Sequence, residues 1–201
     1  MTSPFKKILG QGLLEAIVAL ALILTIIFSI VALITANLLG QKESESQIIA
    51  SNLAREGIEV VRNIRDSNWL KQDTDPTVEW DEGLKEADPL NVTAIADFDK
   101  DNNAWQLIFE VNDINDVDAR LYRQGGIYQH KNGQPTIFYR LLTLHSICLD
   151  LTSGIETIYS QTSCPSDQTK IGIDVKSQVN YFQQGKLRQA ILKDRIYDWK
   201  Y

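Results

Sequence analysis

Histidine, cysteine and catalytic signatures are scarce in this chain. Its 201 residues include two histidines, His130 and His145, and two cysteines, Cys148 and Cys164. No Gly-x-Ser-x-Gly or Cys-x-x-Cys string occurs, and the carboxylates are scattered along loops and a helical stretch. With no nucleophile beside a base and no paired acid and base, the sequence predicts neither an enzyme nor a cofactor. A basic excess is missing too. The formal charge is −6, and setting aside Lys6 and Lys7 takes it to −8, which argues against a nucleic-acid partner. The length suits one anchor plus one domain with a real core and is short for two independent domains.

Charge is nearly absent from Leu13 to Leu39. The run LLEAIVALALILTIIFSIVALITANLL holds one ionisable residue, Glu15. It exceeds the roughly 20 apolar residues that cross a bilayer. A cleavable secretory signal fits less well, because its apolar core is about 7 to 15 residues and ends at a small-residue site. Here a helical pattern continues beyond the run. Lys6 and Lys7 just precede it, so the positive-inside bias puts the N-terminus in the cytoplasm and the rest of the chain outside. Glu15 is the informative residue. A carboxylate at the centre of a membrane helix costs about 2.5 to 3.5 kcal/mol and usually has a partner, although near the cytoplasmic end it can reach the interface more cheaply.

Upstream stands Lys6-Lys7-Ile8-Leu9-Gly10-Gln11-Gly12-Leu13-Leu14-Glu15: basic residues, a glycine, a glutamate five positions after that glycine, and an unbroken apolar helix. The same string begins like a dinucleotide-binding loop, but Glu15 replaces the last glycine and no strand precedes it. The pattern closely resembles the type IV prepilin N-terminus. That resemblance implies cleavage by a prepilin peptidase between Gly10 and Gln11, N-methylation of Gln11 as the new terminus, and an assembly role for Glu15. The physics is coherent. An α-amino cation and a carboxylate are each expensive in hydrocarbon but compensate one another when paired between neighbouring subunits, so the pair selects an axial stagger. Two positions depart from the family's commonest form. Gln11 stands where most members have phenylalanine or methionine, and Ala32 stands near the position of a proline in many major pilins. Gly40 is the one obvious weak point in the helix, costing about 1 kcal/mol relative to alanine, and reads as a tolerated glycine at the membrane exit.

Past Gly40 the helix is predicted to continue, with Ile49, Leu53, Val60 and Ile64 on one stripe. The opposite face carries Arg55 with Glu59 and Arg62 with Asp66, each four residues apart. From Gln11 to about Asn68 such a helix spans about 80 Å at 1.5 Å per residue, half in lipid and half on a sheet. A polar stretch with Pro76, Gly83 and Pro89 then reads as a connecting loop pinned by Trp69 and Trp80.

The remainder alternates like strands. Trp105, Leu107, Phe109 and Val111 share a face, RLYR and IYQH flank Gln124-Gly125-Gly126 as in a hairpin, and IFYRLLTLHSIC is apolar on both faces like a central strand. Ile171, Ile173, Val175, Val179 and Tyr181 alternate with polar residues before a turn at Gln184-Gly185. Cys148 and Cys164, in an exported domain, read as a disulfide closing a loop of about 15 residues and contributing roughly 3 kcal/mol; the pilin resemblance agrees. Asp97, Asp99 and Asp101 alternate like the first half of a calcium loop. Asn102 in place of the turn glycine and Ile108 in place of the bidentate glutamate favour a solvated acidic turn, so no metal is expected.

The expected fold is α+β, a long N-terminal helix packed on a mostly antiparallel sheet as in pilins. The expected parts are a leader over residues 1–10, a transmembrane and assembly helix over 11–39, its amphipathic continuation over 40–68, a polar loop over 69–103 and a sheet domain over 104–201. Three functions follow. The first is a type IV pilus subunit, a minor pilin, made as a single-pass precursor in the cytoplasmic (inner) membrane and assembled into a surface filament. Its partners would be the prepilin peptidase, other pilin subunits and the assembly machinery. The second is a pseudopilin of a type II secretion or DNA-uptake system. The third, from another class, is a singly anchored adhesin or sensor ectodomain.

Overall fold

The computed structural model describes residues 11–99 and 102–199. A single helix, α1 (Gln11–Gln72), runs for 62 residues. No proline occurs within it, and the chain is free of other strong breakers until Pro76. At its end the backbone N–H groups of Thr74 and Asp75 both donate to the Lys71 carbonyl, at 3.0 and 2.8 Å. This satisfies a terminal acceptor just before Pro76 stops the helix. The helix thus outlasts the expected end at Asn68 by one turn. The chain divides within it into two units, residues up to Ser46 and residues from Gln47 onward.

The described residues of the first unit, 11–46, are all helix. Its apolar side chains are exposed on every side, among them Leu13, Ile17, Leu24, Phe28 and Leu33. A helix apolar all round has no sheet-facing stripe to bury in water.

The second unit is built on an eight-stranded, wholly antiparallel sheet. Its strands are β1 (Thr93–Asp99), β2 (Ala104–Ile108), β3 (Arg120–Gln124), β4 (Ile127–Gln129), β5 (Gln134–Asp150), β6 (Glu156–Tyr159), β7 (Gln168–Gln183) and β8 (Lys186–Tyr197), with a 3-10 turn at Val117–Ala119. Strand β5 is the hub, pairing with β1, β3, β6 and β7, while β8 extends the sheet beyond β7. Leu142 and Leu144 are buried on one face of β5 and Leu141 and Ile147 on the other, which explains why the strand reads as apolar on both faces.

Register follows from alternation. On one face Phe138, Leu142 and Leu144 of β5 meet Tyr181, Val179, Val175 and Ile173 of β7, all buried. That face receives the helical stripe. Ile58, Val61 and Ile64 join Leu142, Leu144, Ile173 and Val175 in one core cluster, and Ala50, Leu53 and Ala54 join Leu121, Phe138 and Val179 in another. A slip of one residue would turn every one of these side chains to the wrong face.

Three sequence readings change here. The stretch read as loop over 69–103 contains β1, whose Ala94, Ile95 and Ala96 are buried. The segment starting at Trp105 leaves the ladder at Ile108, although Phe109 and Val111 remain buried beyond it. Arg62 does not take Asp66 as partner. Its guanidinium pairs with Glu59 at 2.7 Å and reaches Asp194 on β8, while Asp66 pairs with Arg65 at 2.8 Å. A sheet packed on the helix offers Arg62 a tertiary carboxylate that helix spacing alone does not reveal.

Candidate functional site

Lys6, Lys7 and Gly10 lie outside the described residues. Gln11 is the first residue of α1, and Glu15 follows one turn later with an exposed position among exposed Leu14, Ile17 and Val18. Through the apolar stretch the hydroxyls are satisfied within the helix. Thr25 donates to the Leu22 carbonyl at 2.8 Å, Ser29 to that of Thr25 at 2.7 Å and Thr35 to that of Val31 at 2.8 Å. Such back-bonding is what a polar side chain needs where water is absent. Glu15 is therefore the one charge in a stretch whose other polar groups are largely turned inward to the backbone. The helix is long and apolar enough to cross a membrane. Gly40 sits in unbroken helix, with nothing near the position a Cβ would take.

Cys148 and Cys164 form a disulfide with a Cα–Cα distance of 5.8 Å. It joins the end of β5 to the segment before β7. Near it, Asp81 is buried and accepts from Lys170 of β7 at 2.6 Å and from Lys85 at 3.2 Å. Burial pushes the Lys170 ammonium below its ordinary value, with Asp81 opposing. Trp80 packs partly against the core, its backbone carbonyl accepts from Asn68 Nδ2 at 3.1 Å, and Lys170 lies over its ring. Trp69 is buried, donates from Nε1 to Asp198 at 3.0 Å and meets Trp199 edge-on. Trp80 thereby fixes the segment after the helix onto the domain, whereas Trp69, read as part of that segment, is still in α1 and ties the end of the helix to the C-terminal residues Asp198 and Trp199. A cleft of about 520 Å³ borders this network, lined by Gln72, Trp80, Lys85, Thr162 and Lys170 among others.

Asp97 and Asp99 lie on β1, and Asp101 is outside the described residues. The Asp99 carboxylate accepts from the Asn102 N–H at 3.2 Å and from its Nδ2 at 2.6 Å, an arrangement that closes the turn between β1 and β2. Among the described residues no group of three or more metal-binding side chains is assembled.

The buried charged residues Arg65, Asp81 and Arg140 all escaped the sequence reading, and Arg140 is the most deeply buried of them. Arg140 of β5 is 1% exposed and sits beneath α1, with Nη1 3.5 Å from Glu56 and 3.4 Å from the Leu53 carbonyl. Burial lowers its pKa from the usual value, against the pull of Glu56. His130, also buried, shares its Nδ1 with the Asp118 carbonyl at 3.1 Å and is pushed down to about 3 by burial, with Arg140 acting in the same direction. The only signal in the sequence was an isolated arginine inside the apolar string IFYRLLTLHSIC.

No protein-family model matches the chain, and no curated protein or solved structure is significantly similar to it. The class is therefore defined by architecture: an α+β protein with a long, N-terminally apolar helix packed on an antiparallel sheet. That architecture is compatible with a pilin-like fold.

Proposed function

We propose that this chain is a structural subunit of a type IV pilus, a minor pilin. It would be inserted in the inner membrane by its N-terminal helix, trimmed between Gly10 and Gln11, and assembled through that helix into a surface filament. The observation that carries this reading is the spacing of Lys6, Lys7, Gly10, Gln11 and Glu15 at the start of a helix that is apolar all round and then becomes the buried stripe of a sheet domain. One element supplies both a lipid-compatible surface and the platform of the folded domain. Glu15 is the group that distinguishes assembly from mere anchoring, since a lone carboxylate in an apolar helix is stabilised by a cationic partner such as a neighbouring α-amine. A disulfide in the domain agrees with an oxidising, extracytoplasmic setting.

N-terminal sequencing of mature protein from cells with an active prepilin peptidase tests the reading, which expects a chain beginning at Gln11. An intact Met1-to-Gly10 segment would sink it. In the same cells Glu15→Ala is expected to insert normally, because it makes the helix more apolar, and to be depleted from sheared filaments. Normal incorporation of that variant would remove Glu15 from the mechanism. Immunogold labelling of shed filaments separates a fibre subunit from a pseudopilin working as a piston.

A further inference from the structure

The sheet face turned away from α1 carries a charge arrangement that the fold itself disfavours. Val175 and Ser177 of β7 are buried on the helix side, so Lys176 between them points to the outer face, and its cross-strand partner on β8 is Lys193. Asp194 confirms the parity, since it lies on the helix side and meets Arg62. Two ammonium groups thus stand directly opposite one another on adjacent antiparallel strands, an arrangement that is repulsive. The next row on the same face holds His145, Asp174 and Arg195, with Arg195 3.6 Å from Asp174. No Asp or Glu occurs between Asp174 and Asp194, a stretch that holds Lys176, Lys186, Arg188 and Lys193 in a chain of net charge −6. Among the described residues neither Lys176 nor Lys193 has a carboxylate in salt-bridge range. Beside them on the same face stands Ile191, 47% exposed.

A complementary surface exists elsewhere on the same unit. In the segment after the helix, Glu82, Glu86 and Asp88 are exposed, and Leu90 beyond them is 72% exposed. Lys85, the lysine among them, is already engaged by Glu79 and Asp81. The segment is held in place by Leu84, fully buried in the core, and by Asn68 Nδ2, which donates to the Glu82 carbonyl at 2.8 Å. One patch is two lysines beside an exposed isoleucine, and the other is three carboxylates beside an exposed leucine.

We infer that the outer face of β7 and β8, centred on Lys176 and Lys193, docks the acidic segment Glu82–Leu90 of a second copy of this chain. The inference rests on the filament-subunit reading and names one contact within it. Because the two patches are different surfaces of one chain, the contact can repeat head to tail, and it builds the open array that the filament reading requires when successive copies do not close a ring. Complementary charge would set orientation and suppress the like-charged approach of lysine face to lysine face.

The test is zero-length carbodiimide cross-linking of the full chain in membranes and in sheared filaments, using a mixture of nitrogen-15-labelled and unlabelled copies so that links between copies are distinguished by mass. The expected result is links from Lys176 or Lys193 of one copy to Glu82, Glu86 or Asp88 of another. Lys176→Glu/Lys193→Glu removes the reacting amines, so its readout is assembly, and its recovery in sheared filaments should fall about tenfold or more. Adding Glu82→Lys/Glu86→Lys/Asp88→Lys to that variant should restore the contact as links of reversed polarity. Absence of the wild-type links, undiminished recovery of the Lys176→Glu/Lys193→Glu variant in filaments, or links from the two lysines to a different protein each overturn the inference. The N-terminus of the same sample keeps the two readings apart. Protein cleaved to Gln11 but lacking the links loses only this contact, whereas uncleaved protein loses the pilin reading.

Discussion

The Arg140 guanidinium lies 3.5 Å from the Glu56 carboxylate, joining the middle of the central strand to the helix that crosses it. Arg140 is almost fully buried, and its Nε and Nη2 atoms have no partner, whereas Glu56 is 37% exposed on its side chain. Removing one member of a fully buried pair costs about 3 to 5 kcal/mol because the other charge is stranded. Partial exposure of Glu56 lessens this, so Glu56→Gln is expected to destabilise by about 1 to 3 kcal/mol. Arg140→Met in the Glu56→Gln background should recover most of the loss. Urea melts of the four members of the cycle measure it, and a double variant less stable than Glu56→Gln would contradict the account.

At Gly57 the helix packs tightly against the sheet. A Cβ there would lie 2.5 Å from Ser177 Oγ and 2.8 Å from Leu142 Cδ2. Helix propensity alone favours alanine over glycine by about 1 kcal/mol, but overpacking costs typically about 1 to 3 kcal/mol and should win here. Gly57→Ala is thus expected to lower Tm. Ser177→Ala removes the nearer of the two atoms, a hydroxyl that has no partner in the core, and should restore part of the loss. An unchanged or raised Tm for Gly57→Ala would show that the helix sits farther from the sheet.

His130 supplies a pH dependence whose sign is fixed by its depressed pKa. With a folded value of about 3 against 6.5 unfolded, the unfolded chain binds the extra proton between those limits, so stability falls as pH drops from about 6.5 toward 3. The slope approaches about 1.4 kcal/mol per pH unit in mid-window. His130→Gln should flatten Tm between pH 6.5 and pH 4, the upper part of that window. Asp75 and Asp150, whose pKa values are lowered by local hydrogen bonds, act in the acid range below, where their carboxylates protonate. A variant that keeps the wild-type slope from pH 6.5 to 4 would remove His130 as its source.

Reduction of the Cys148–Cys164 bond should lower stability by roughly 3 kcal/mol, given a sequence separation of 16 residues. Its first structural effect falls on β6 and the segment up to Cys164, which depend on β5 for pairing. Hydrogen exchange with and without reductant locates it. Uniform loss of protection across all eight strands would show instead that the bond supports the whole sheet.

Periodicity made much of the fold legible. The apolar run, the stripe Leu53-Val60-Ile64, the hairpin glycines and the β7 alternation are local patterns, and each stands in the structure as helix, turn or strand. Gly125, Gly126, Gln184 and Gly185 take the positive φ values that tight hairpin turns demand. Strand β1 was not legible. Its Ala-Ile-Ala-Asp-Phe-Asp string is short and acidic at one end, and it is a strand because β2 and β5 supply ladder partners on both sides. The partners of Arg62 were equally hidden, since local spacing offered Asp66 while the packed sheet brought Asp194 within reach.

By itself the sequence determined the membrane-length helix, the position of Glu15 within it, the antiparallel character of the sheet and the availability of two cysteines. Each of these is written in residues close together in the chain or in composition. The tertiary structure alone decided that Arg140 is buried against Glu56, that Gly57 must lack a side chain, and that Lys176 faces Lys193. In each case the reason is the same: burial, close approach and electrostatic opposition depend on which distant segment packs against a residue, and that is fixed only when helix and strands have met.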